Sequence, residues 1–192
     1  MARDLVAKAL ADLSAASLAA ANETDQLLKA SDLLTESLSK GGLVLLAGNG
    51  GSAAEAQHFA GEIVGRFTLE RYGLPAIALT ADSAILTAIA NDYGYEEVFV
   101  RQVKALGRPG DVFWGLSTSG RSPNILKALA AASERGLKTI FMRGPLPLKE
   151  DLNVDVVINT PGQTTPRIQE IHLFYGHILC EIVEKRLFGG LK

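Results

Sequence analysis

At 192 residues the chain has the length of one ordinary domain, long enough to bury a core without disulfides or a structural metal. Its hydrophobic content of 47% and its formal net charge of -2, from 19 basic and 21 acidic residues, exclude the basic surface that typifies binding to nucleic acid or anionic membranes. No stretch approaches the roughly 20 apolar residues that span a bilayer. Asp4, Lys8 and Asp12 interrupt the N-terminal apolar stretch, which argues against a signal peptide. The single cysteine, Cys180, favours a reducing cytoplasm and a place in the core or at an interface.

The first 40 residues have the apolar spacing of helices. Leucines recur at helical intervals from Asp4 to Ser39, and Asn22 or Thr24 is the expected cap of a second segment. Gly41-Gly42 ends this region. The pattern predicts a leading helical hairpin over residues 1–40, and because it precedes the sheet we expect it to pack against a neighbouring subunit.

Short apolar runs alternate with helical segments in the rest of the chain. The runs predict strands, and such alternation is typical of a parallel sheet with helices on both faces. We therefore expect an α/β three-layer sandwich with a five-stranded parallel sheet, in a single domain over 1–192 whose α/β core and C-terminal helix occupy 41–192. The predicted strands lie at 43–47, 75–79, 111–116, 138–142 and 155–159, and the predicted helices at 82–90, 96–106, 123–135 and 165–188.

A glycine-rich loop follows the first predicted strand, with the sequence Gly48-Asn49-Gly50-Gly51-Ser52. Glycines allow close approach of the backbone to a ligand, and a helix that begins near Ser52 points free N–H groups at an anion. His58 and Glu62 lie four residues apart on that helix and therefore share one face. The loop thus leads from a polar binding turn into a titratable pair, although His58 and Glu62 would also be compatible with an ordinary surface pair.

The same loop satisfies the short dinucleotide pattern G-x-G-x-x-A through Gly48, Gly50 and Ala53. That fingerprint requires an acidic residue at the end of the next strand, about 20 residues on. Here the next predicted strand is followed by Asp82, which lies much further along the chain. The spacing disfavours dinucleotide binding.

A second polar loop, Ser117-Thr118-Ser119-Gly120-Arg121-Ser122, follows the third predicted strand, and Pro123 is the expected first residue of the next helix. Hydroxyls and a helix N-terminus can hold a phosphate without a lysine. The alternative is that Ser122 is only a helix N-cap and the rest a polar turn.

The last predicted helix carries Gln169, His172 and His177 within an apolar pattern. A lone histidine on such a face is usually a core residue, and this is our interpretation of His172. Imidazole and carboxylate ligands together suit zinc. Gln169 and His177, however, lie eight residues apart, about 12 Å along a regular helix. Either that helix is irregular, or the glutamine reaches along it, or the two residues serve sites across a subunit boundary.

Taken together, these motifs resemble the phosphoheptose isomerase (sedoheptulose 7-phosphate isomerase) family of the sugar isomerase (SIS) domain group, and the resemblance covers nearly the whole chain. It implies an SIS-type fold. The motifs that carry it are 47–52, 57–62, 90–92, 117–120 and 167–172, together with His177.

The resemblance implies roles for individual residues. Glu62 and His177 would be the catalytic acid/base pair. Zinc, one ion per subunit, would bind the positions His58, Glu62, Gln169 and His177. The sugar phosphate would be held by Asn49, Gly50, Gly51, Glu62, Asn91, Asp92, Ser117, Thr118, Ser119, Ser122 and Gln169.

It also implies the reaction and the assembly. The family converts D-sedoheptulose 7-phosphate to D-glycero-D-manno-heptose 7-phosphate through a cis-enediol, the first step toward ADP-heptose and lipopolysaccharide core heptose. A base takes the C1 proton and an acid returns one at C2. A cytoplasmic homotetramer with active sites at subunit boundaries is implied as well, with no nucleic-acid or membrane partner.

Two other functions fit parts of the chain. A paralogue of this fold binds the replication initiator DnaA without catalysis, and residues 86–92 resemble it, but it lacks the glutamate and histidine that are present here as Glu62 and His177. SIS isomerases of arabinose 5-phosphate usually carry regulatory domains for which 192 residues leave no room. The segment Arg143 to Leu148, with two prolines, departs from the glycine-rich turn expected of phosphoheptose isomerases.

Overall fold

The computed structural model describes residues 1–147 and 152–191, and its central element is a parallel sheet of five strands. The spatial order of the strands is β2-β1-β3-β4-β5, and every neighbouring pair is parallel. The strands are β1 (Val44–Ala47), β2 (Ala76–Ala78), β3 (Val112–Ser117), β4 (Lys138–Arg143) and β5 (Val156–Asn159).

Within residues 1–147 and 152–191, seven α-helices cover the two faces of the sheet, as the alternating pattern predicts. One hydrophobic cluster joins one face of the sheet to α1, α2, α3 and α7, and a second joins the other face to α4, α5 and α6. The predicted three-layer α/β architecture is confirmed. The helices are α1 (Ala2–Ala20), α2 (Thr24–Ser39), α3 (Gly51–Val64), α4 (Ser83–Tyr93), α5 (Val98–Leu106), α6 (Pro123–Glu134) and α7 (Thr165–Phe188).

The N-terminal region departs from the predicted hairpin. The 3-10 turn Ala21–Glu23 joins α1 to α2, and the backbone at Ala21 and Thr24 is helical, so the chain continues forward as one long, interrupted helix. Both segments pack along α7 rather than chiefly against each other. The predicted cap is also wrong, because Glu23 occupies the N-cap position and the Thr24 hydroxyl donates to the Ala21 carbonyl at 2.7 Å.

Two aspartates expected to begin strands lie just outside them. The Asp111 carboxylate accepts hydrogen bonds from the Leu43 and Arg108 N–H groups. Asp155 accepts from the N–H and the hydroxyl of Thr139. Both side chains therefore hold the amino ends of neighbouring strands together, which explains why acidic residues stand beside such apolar runs.

No helix among the described residues is both long and apolar enough to cross a membrane. Several large apolar side chains nevertheless remain exposed on α1 and α7. They include Leu5, Leu10 and Leu18 of α1 and Phe174 of α7, which are 70%, 63%, 79% and 50% exposed. The α1 part of this surface lies within residues 1–40, the region that the sequence predicted to pack against a neighbouring subunit.

Candidate active site

The two polar loops lie side by side at the carboxyl edge of the sheet, because β1 and β3 are neighbouring parallel strands. Ligands in open parallel α/β sheets bind at this edge. Gly50, with φ +55°, is the N-cap of α3, and its positive φ favours glycine. Gly48 is equally constrained, since a Cβ there would lie 2.4 Å from the Ser52 carbonyl oxygen. The sequence places glycine at both positions that the tight loop requires.

Asn49 does not stand alone in the first loop. The side-chain amides of Asn49 and Asn124 each donate a hydrogen bond of 2.9 Å to the other's side-chain oxygen. The side-chain oxygen of Asn49 also accepts a hydrogen bond from the Tyr95 hydroxyl at 3.0 Å. Asn124 is buried in the first turn of α6, directly after the second loop. The pair therefore locks the two loops together. Sequence reasoning missed Asn124 and Tyr95, because no local pattern relates them to Asn49.

The second loop has the geometry of an anion cradle rather than of an ordinary cap. Ser122 is the N-cap residue of α6 and Pro123 its first residue, but the Ser122 side chain makes no cap hydrogen bond. Its hydroxyl lies 2.9 Å from the hydroxyl of buried Ser117, which is also 3.4 Å from that of Ser119. Hydroxyls thus cluster beside the free N–H groups of a helix N-terminus, an arrangement that suits a phosphate.

Segment 143–148 begins against this cradle. Ser117 of β3 pairs with Arg143 of β4, and the Gly144 N–H donates to the Ser117 carbonyl at 3.3 Å. A Cβ on Gly144 would lie 2.0 Å from the Thr118 carbonyl oxygen, so a larger residue there would displace the loop. Leu148, the last residue of the segment, lies outside the described residues.

Helices α3 and α7 run side by side and bring three titratable side chains together. The Nε2 atoms of His58 and His177 are 2.7 Å apart, and His58 Nε2 is 3.6 Å from Glu62 Oε1. One ligand atom from each of these residues lies within 4.8 Å of the others. The His58 side chain is 42% exposed and that of Glu62 24% exposed, so a solute can reach them. Two imidazoles and a carboxylate form the donor set of an open zinc site.

Gln169 lies elsewhere on the same helical interface. A Cβ on Gly51 would meet the Gln169 amide nitrogen at 2.3 Å, so this side chain packs against the first residue of α3. α7 is a continuous α-helix of 24 residues, which removes the irregular helix from the three explanations of the spacing. Coordination of a metal by Gln169 stays a prediction, either by reach along the helix or across a subunit boundary.

Asn91 and Asp92 occupy the last turn of α4, which ends at Tyr93, three residues beyond the predicted helix end. Both are exposed, and the Asn91 amide donates to Asp92 at 2.8 Å. No described contact joins them to the polar loops or to the His58–Glu62–His177 cluster, so their place in the sugar site stays a prediction.

Asp82 is the N-cap of α4, where its side chain accepts a hydrogen bond from the Ile85 N–H at 2.9 Å. This capping role accounts for an acidic residue after β2 without a bound dinucleotide.

The two interior residues singled out in the sequence lie in the core. Cys180 is buried, and its burial raises the pKa of the thiol to about 12. His172 is fully buried as expected, with Nδ1 3.7 Å from a carboxylate oxygen of Glu55, a partner that sequence reasoning missed. Both residues lie in the packing of α7, which contacts α1, α2 and α3.

Gly176 allows the close approach of α7 to α3. A Cβ at this position would lie 2.1 to 2.7 Å from the ring of Phe59, which is itself stacked on Trp114 with 5.2 Å between ring centroids. The neighbouring residue, His177, can therefore reach His58. From the sequence alone Gly176 is only a residue of low helix propensity within a predicted helix, and its contact with Phe59 is not apparent.

We expect Gly176→Ala to lower the free energy of unfolding by about 1–3 kcal/mol, because the added methyl has no room beside buried Phe59. Urea unfolding measures the change. Gly61→Ala in α3 is the matched control, since nothing lies within 4 Å of a Cβ there and alanine favours a helix. Equal stability of wild type and Gly176→Ala would contradict this account of the helix contact.

Comparison with known proteins agrees with this geometry. The SIS domain family model matches residues 10–144. Curated phosphoheptose isomerases from Geotalea daltonii and Burkholderia pseudomallei are 56% and 53% identical over 158 and 161 residues, which cover 82% and 84% of this chain and 82% of each relative. The solved phosphoheptose isomerase from Neisseria gonorrhoeae superimposes with a TM-score of 0.90 at 40% identity, covering 96% of this chain and 100% of that one. With its paired polar loops and its imidazole–carboxylate cluster, the chain belongs to the phosphoheptose isomerase family of SIS-domain enzymes.

Proposed function

We propose that this protein is an aldose–ketose isomerase that converts D-sedoheptulose 7-phosphate to D-glycero-D-manno-heptose 7-phosphate through a cis-enediol. The observation that carries the proposal is the cluster of Glu62 and His177 on two packed helices, one of which, α3, begins at the sheet edge where the phosphate-type cradle lies. Relatives named phosphoheptose isomerase, more than half identical over four fifths of the chain, support the same reaction. The non-catalytic reading, binding of the initiator DnaA, is not favoured.

The cradle would anchor the phosphate. The hydroxyls of Ser117, Ser119 and Ser122, with that of Thr118, would donate hydrogen bonds to the phosphate oxygens, as would the N–H groups of the first turn of α6. Asn49, Gly50 and Gly51 would hold the sugar hydroxyls on the adjacent loop. Anchoring of the unreactive end fixes the reacting carbons beside the acid/base pair, which reduces the entropic part of the barrier.

Glu62 and His177 would then move the protons. A carboxylate beside C1 of the ketose takes the C1 proton and leaves the cis-enediol, and the same carboxylic acid returns a proton at C2. The imidazole of His177 moves a proton between the two oxygens, O2 and O1. Both groups are at least partly exposed and lie within a few ångströms of one another, as the movement of protons between two adjacent carbons and their oxygens requires.

We also propose that His58, Glu62 and His177 hold a zinc ion, with Gln169 as the predicted fourth ligand. The donor set fits, because both Nε2 atoms and a Glu62 oxygen converge on one point that solvent can reach. Bound there, zinc would polarise the C2 carbonyl.

A homotetramer with active sites at subunit boundaries belongs to the proposed function and would cover the exposed apolar residues of α1 and α7. So does a cytoplasmic location, which the presence of a single cysteine favours.

Turnover of D-sedoheptulose 7-phosphate by the purified protein, with and without added zinc, tests the proposed activity directly. We expect formation of the aldose phosphate by wild type. Binding of the sugar phosphate without turnover under every metal condition would contradict the isomerase and favour a binding protein.

The cradle predicts that Ser122→Ala weakens the binding of inorganic phosphate about tenfold, because one hydrogen bond to a charged group is lost. The shift in unfolding temperature with added phosphate measures this affinity without catalysis. Ser133→Ala, at the opposite end of α6, is the matched control and should bind phosphate as wild type does. Unchanged affinity in Ser122→Ala would remove Ser122 from the cradle.

For the metal, we expect metal-free protein to bind one zinc ion per subunit, and His58→Ala to lower that affinity at least tenfold because a ligand is lost. Competition with a chelating dye measures the affinity. Glu96→Gln, an exposed acid that pairs with Lys127 far from the cluster in sequence, is the control. Equal zinc affinity in wild type and His58→Ala would contradict this ligand set.

A further inference from the structure

A buried ion pair lies behind the candidate acid/base pair and has no role in the reaction proposed above. Arg71 donates from Nε to Glu184 at 2.9 Å, and their side chains are only 3% and 1% exposed. Arg71 follows α3 in the chain, and Glu184 lies near the end of α7. The pair thus bridges the two helices that carry Glu62 and His177.

Arg71 connects this pair to the end of α3. Its terminal nitrogens donate to the backbone carbonyls of Glu62 and Ile63 at 3.0 Å each, to that of Gly65 at 3.3 Å and to that of Tyr72 at 3.0 Å. The carbonyls at a helix C-terminus have no partners within the helix. The guanidinium therefore fixes the last turn of α3, the turn on which Glu62 stands.

Glu184 connects the pair to the other catalytic side chain. Its carboxylate accepts the N–H groups of Phe67, Thr68 and Leu69 at 2.8, 2.6 and 2.7 Å. The ring of Phe67 in turn lies against His177, with 5.6 Å between ring centroids. One carboxylate on α7 thereby holds in place the loop that packs beside the imidazole.

The three charged residues also share an internal cavity of about 10 Å³ that Glu62, Arg71 and Glu184 line together with Trp114 and Cys180. A space of this size holds at most about one water molecule. Little solvent is available to replace a lost hydrogen bond, so the geometry behind Glu62 depends on the protein's own contacts.

We propose that Arg71 and Glu184 are positioning residues that set the separation and orientation of Glu62 and His177, through the last turn of α3 on one side and through Phe67 on the other. The role rests on the isomerase function proposed above. Neither side chain touches the substrate. Displacement of a reacting group by about 1 Å can cost on the order of a hundredfold in rate.

Three variants test the proposal. Arg71→Lys keeps the charge beside Glu184 but lacks the planar fork that reaches several carbonyls. Glu184→Gln keeps the shape of the side chain and removes its charge. Phe67→Leu leaves the buried ion pair intact and alters only the contact with His177, so it keeps the test valid even where a change in the pair prevents folding.

For each folded variant we expect kcat to fall about 10- to 100-fold while KM for sedoheptulose 7-phosphate stays within about twofold of wild type. Zinc affinity of the metal-free protein should fall about tenfold for Arg71→Lys and Glu184→Gln, since Glu62 and His177 would no longer converge. Glu181→Gln removes an exposed acid one turn earlier on α7, paired with Lys185, and should leave both quantities unchanged.

A purely structural role would give a different result. In that case the unfolding temperature would fall, but kcat per folded molecule and zinc affinity would remain within about twofold of wild type in Arg71→Lys, Glu184→Gln and Phe67→Leu. That outcome would overturn the proposal. Absence of turnover in wild type would count against the isomerase instead, and the zinc affinities would still decide whether Arg71 and Glu184 position the cluster.

Discussion

Replacement of Glu62 by glutamine should lower kcat for sedoheptulose 7-phosphate by about 10²–10⁴-fold, the usual contribution of a general base. The amide retains the size of the side chain but cannot take the C1 proton. The side chain is partly exposed and lies 3.6 Å from His58, and among the described residues it pairs with no buried cation, so the protein should remain folded. Turnover at saturating substrate, with the unfolding temperature as a check of the fold, measures the effect.

The control for this prediction is Glu181→Gln, because Glu181 is an exposed glutamate with a surface ion pair. It should keep the kcat of wild type. Loss of more than an order of magnitude in Glu62→Gln alone would support Glu62 as the base. Equal activity of the two variants would show that another group takes the proton, and would leave Glu62 as at most a metal ligand.

The second large effect concerns acid stability. Three backbone N–H groups and the Thr68 hydroxyl donate to the Glu184 carboxylate, and although burial opposes them, together they lower its pKa to about 2 from an ordinary value of 4.5. A carboxyl group with a depressed folded-state pKa stabilises the fold above its unfolded pKa. This contribution, on the order of 3 kcal/mol, should therefore be lost as the pH falls from about 4.5 towards 2.

Urea unfolding between pH 6 and pH 2.5 tests this prediction. The free energy of unfolding of wild type should fall steeply below pH 4.5, and Glu184→Gln, less stable at pH 6, should show a shallower slope because it has no carboxyl group to protonate. Glu181→Gln should keep the slope of wild type. Parallel curves for wild type and Glu184→Gln would show that Glu184 has an ordinary pKa in the folded protein.

The sequence predicts the fold well where the pattern is local. The runs 43–47 and 111–116 are apolar enough for both faces of a strand to be buried, and all residues of β1 and β3 are buried in the structure. It fails at the N-terminus, where apolar periodicity identifies two helical segments but not the direction of the chain between them. A 3-10 turn joins the two segments and the backbone at Ala21 and Thr24 is helical, so no hairpin forms.

The residues of the candidate site also fall into those that a local sequence pattern predicts and those that only the fold brings together. Both polar loops and the pair His58–Glu62 are visible because their residues lie close together in the sequence. Arg71 and Glu184 are separated by 113 residues, and an arginine after a helix or a glutamate within one has no local signature of burial. The sequence likewise does not show why residue 176 is a glycine, because the reason is its contact with Phe59 of another helix. Tertiary contacts of this kind become apparent only in the folded chain.

The position of α7 has a consequence for how the protein becomes active during synthesis. The cradle, the glycine-rich loop and α3 all precede Thr165 in the chain. His177, Glu184 and Gly176, which packs against Phe59, all belong to α7. A nascent chain that has emerged only as far as β5 therefore carries both polar loops but lacks His177, one of the two proposed acid/base groups, and lacks the helix against which α1, α2 and α3 pack. Under the proposed function, synthesis of the last helix completes the catalytic pair and this part of the hydrophobic core in the same step.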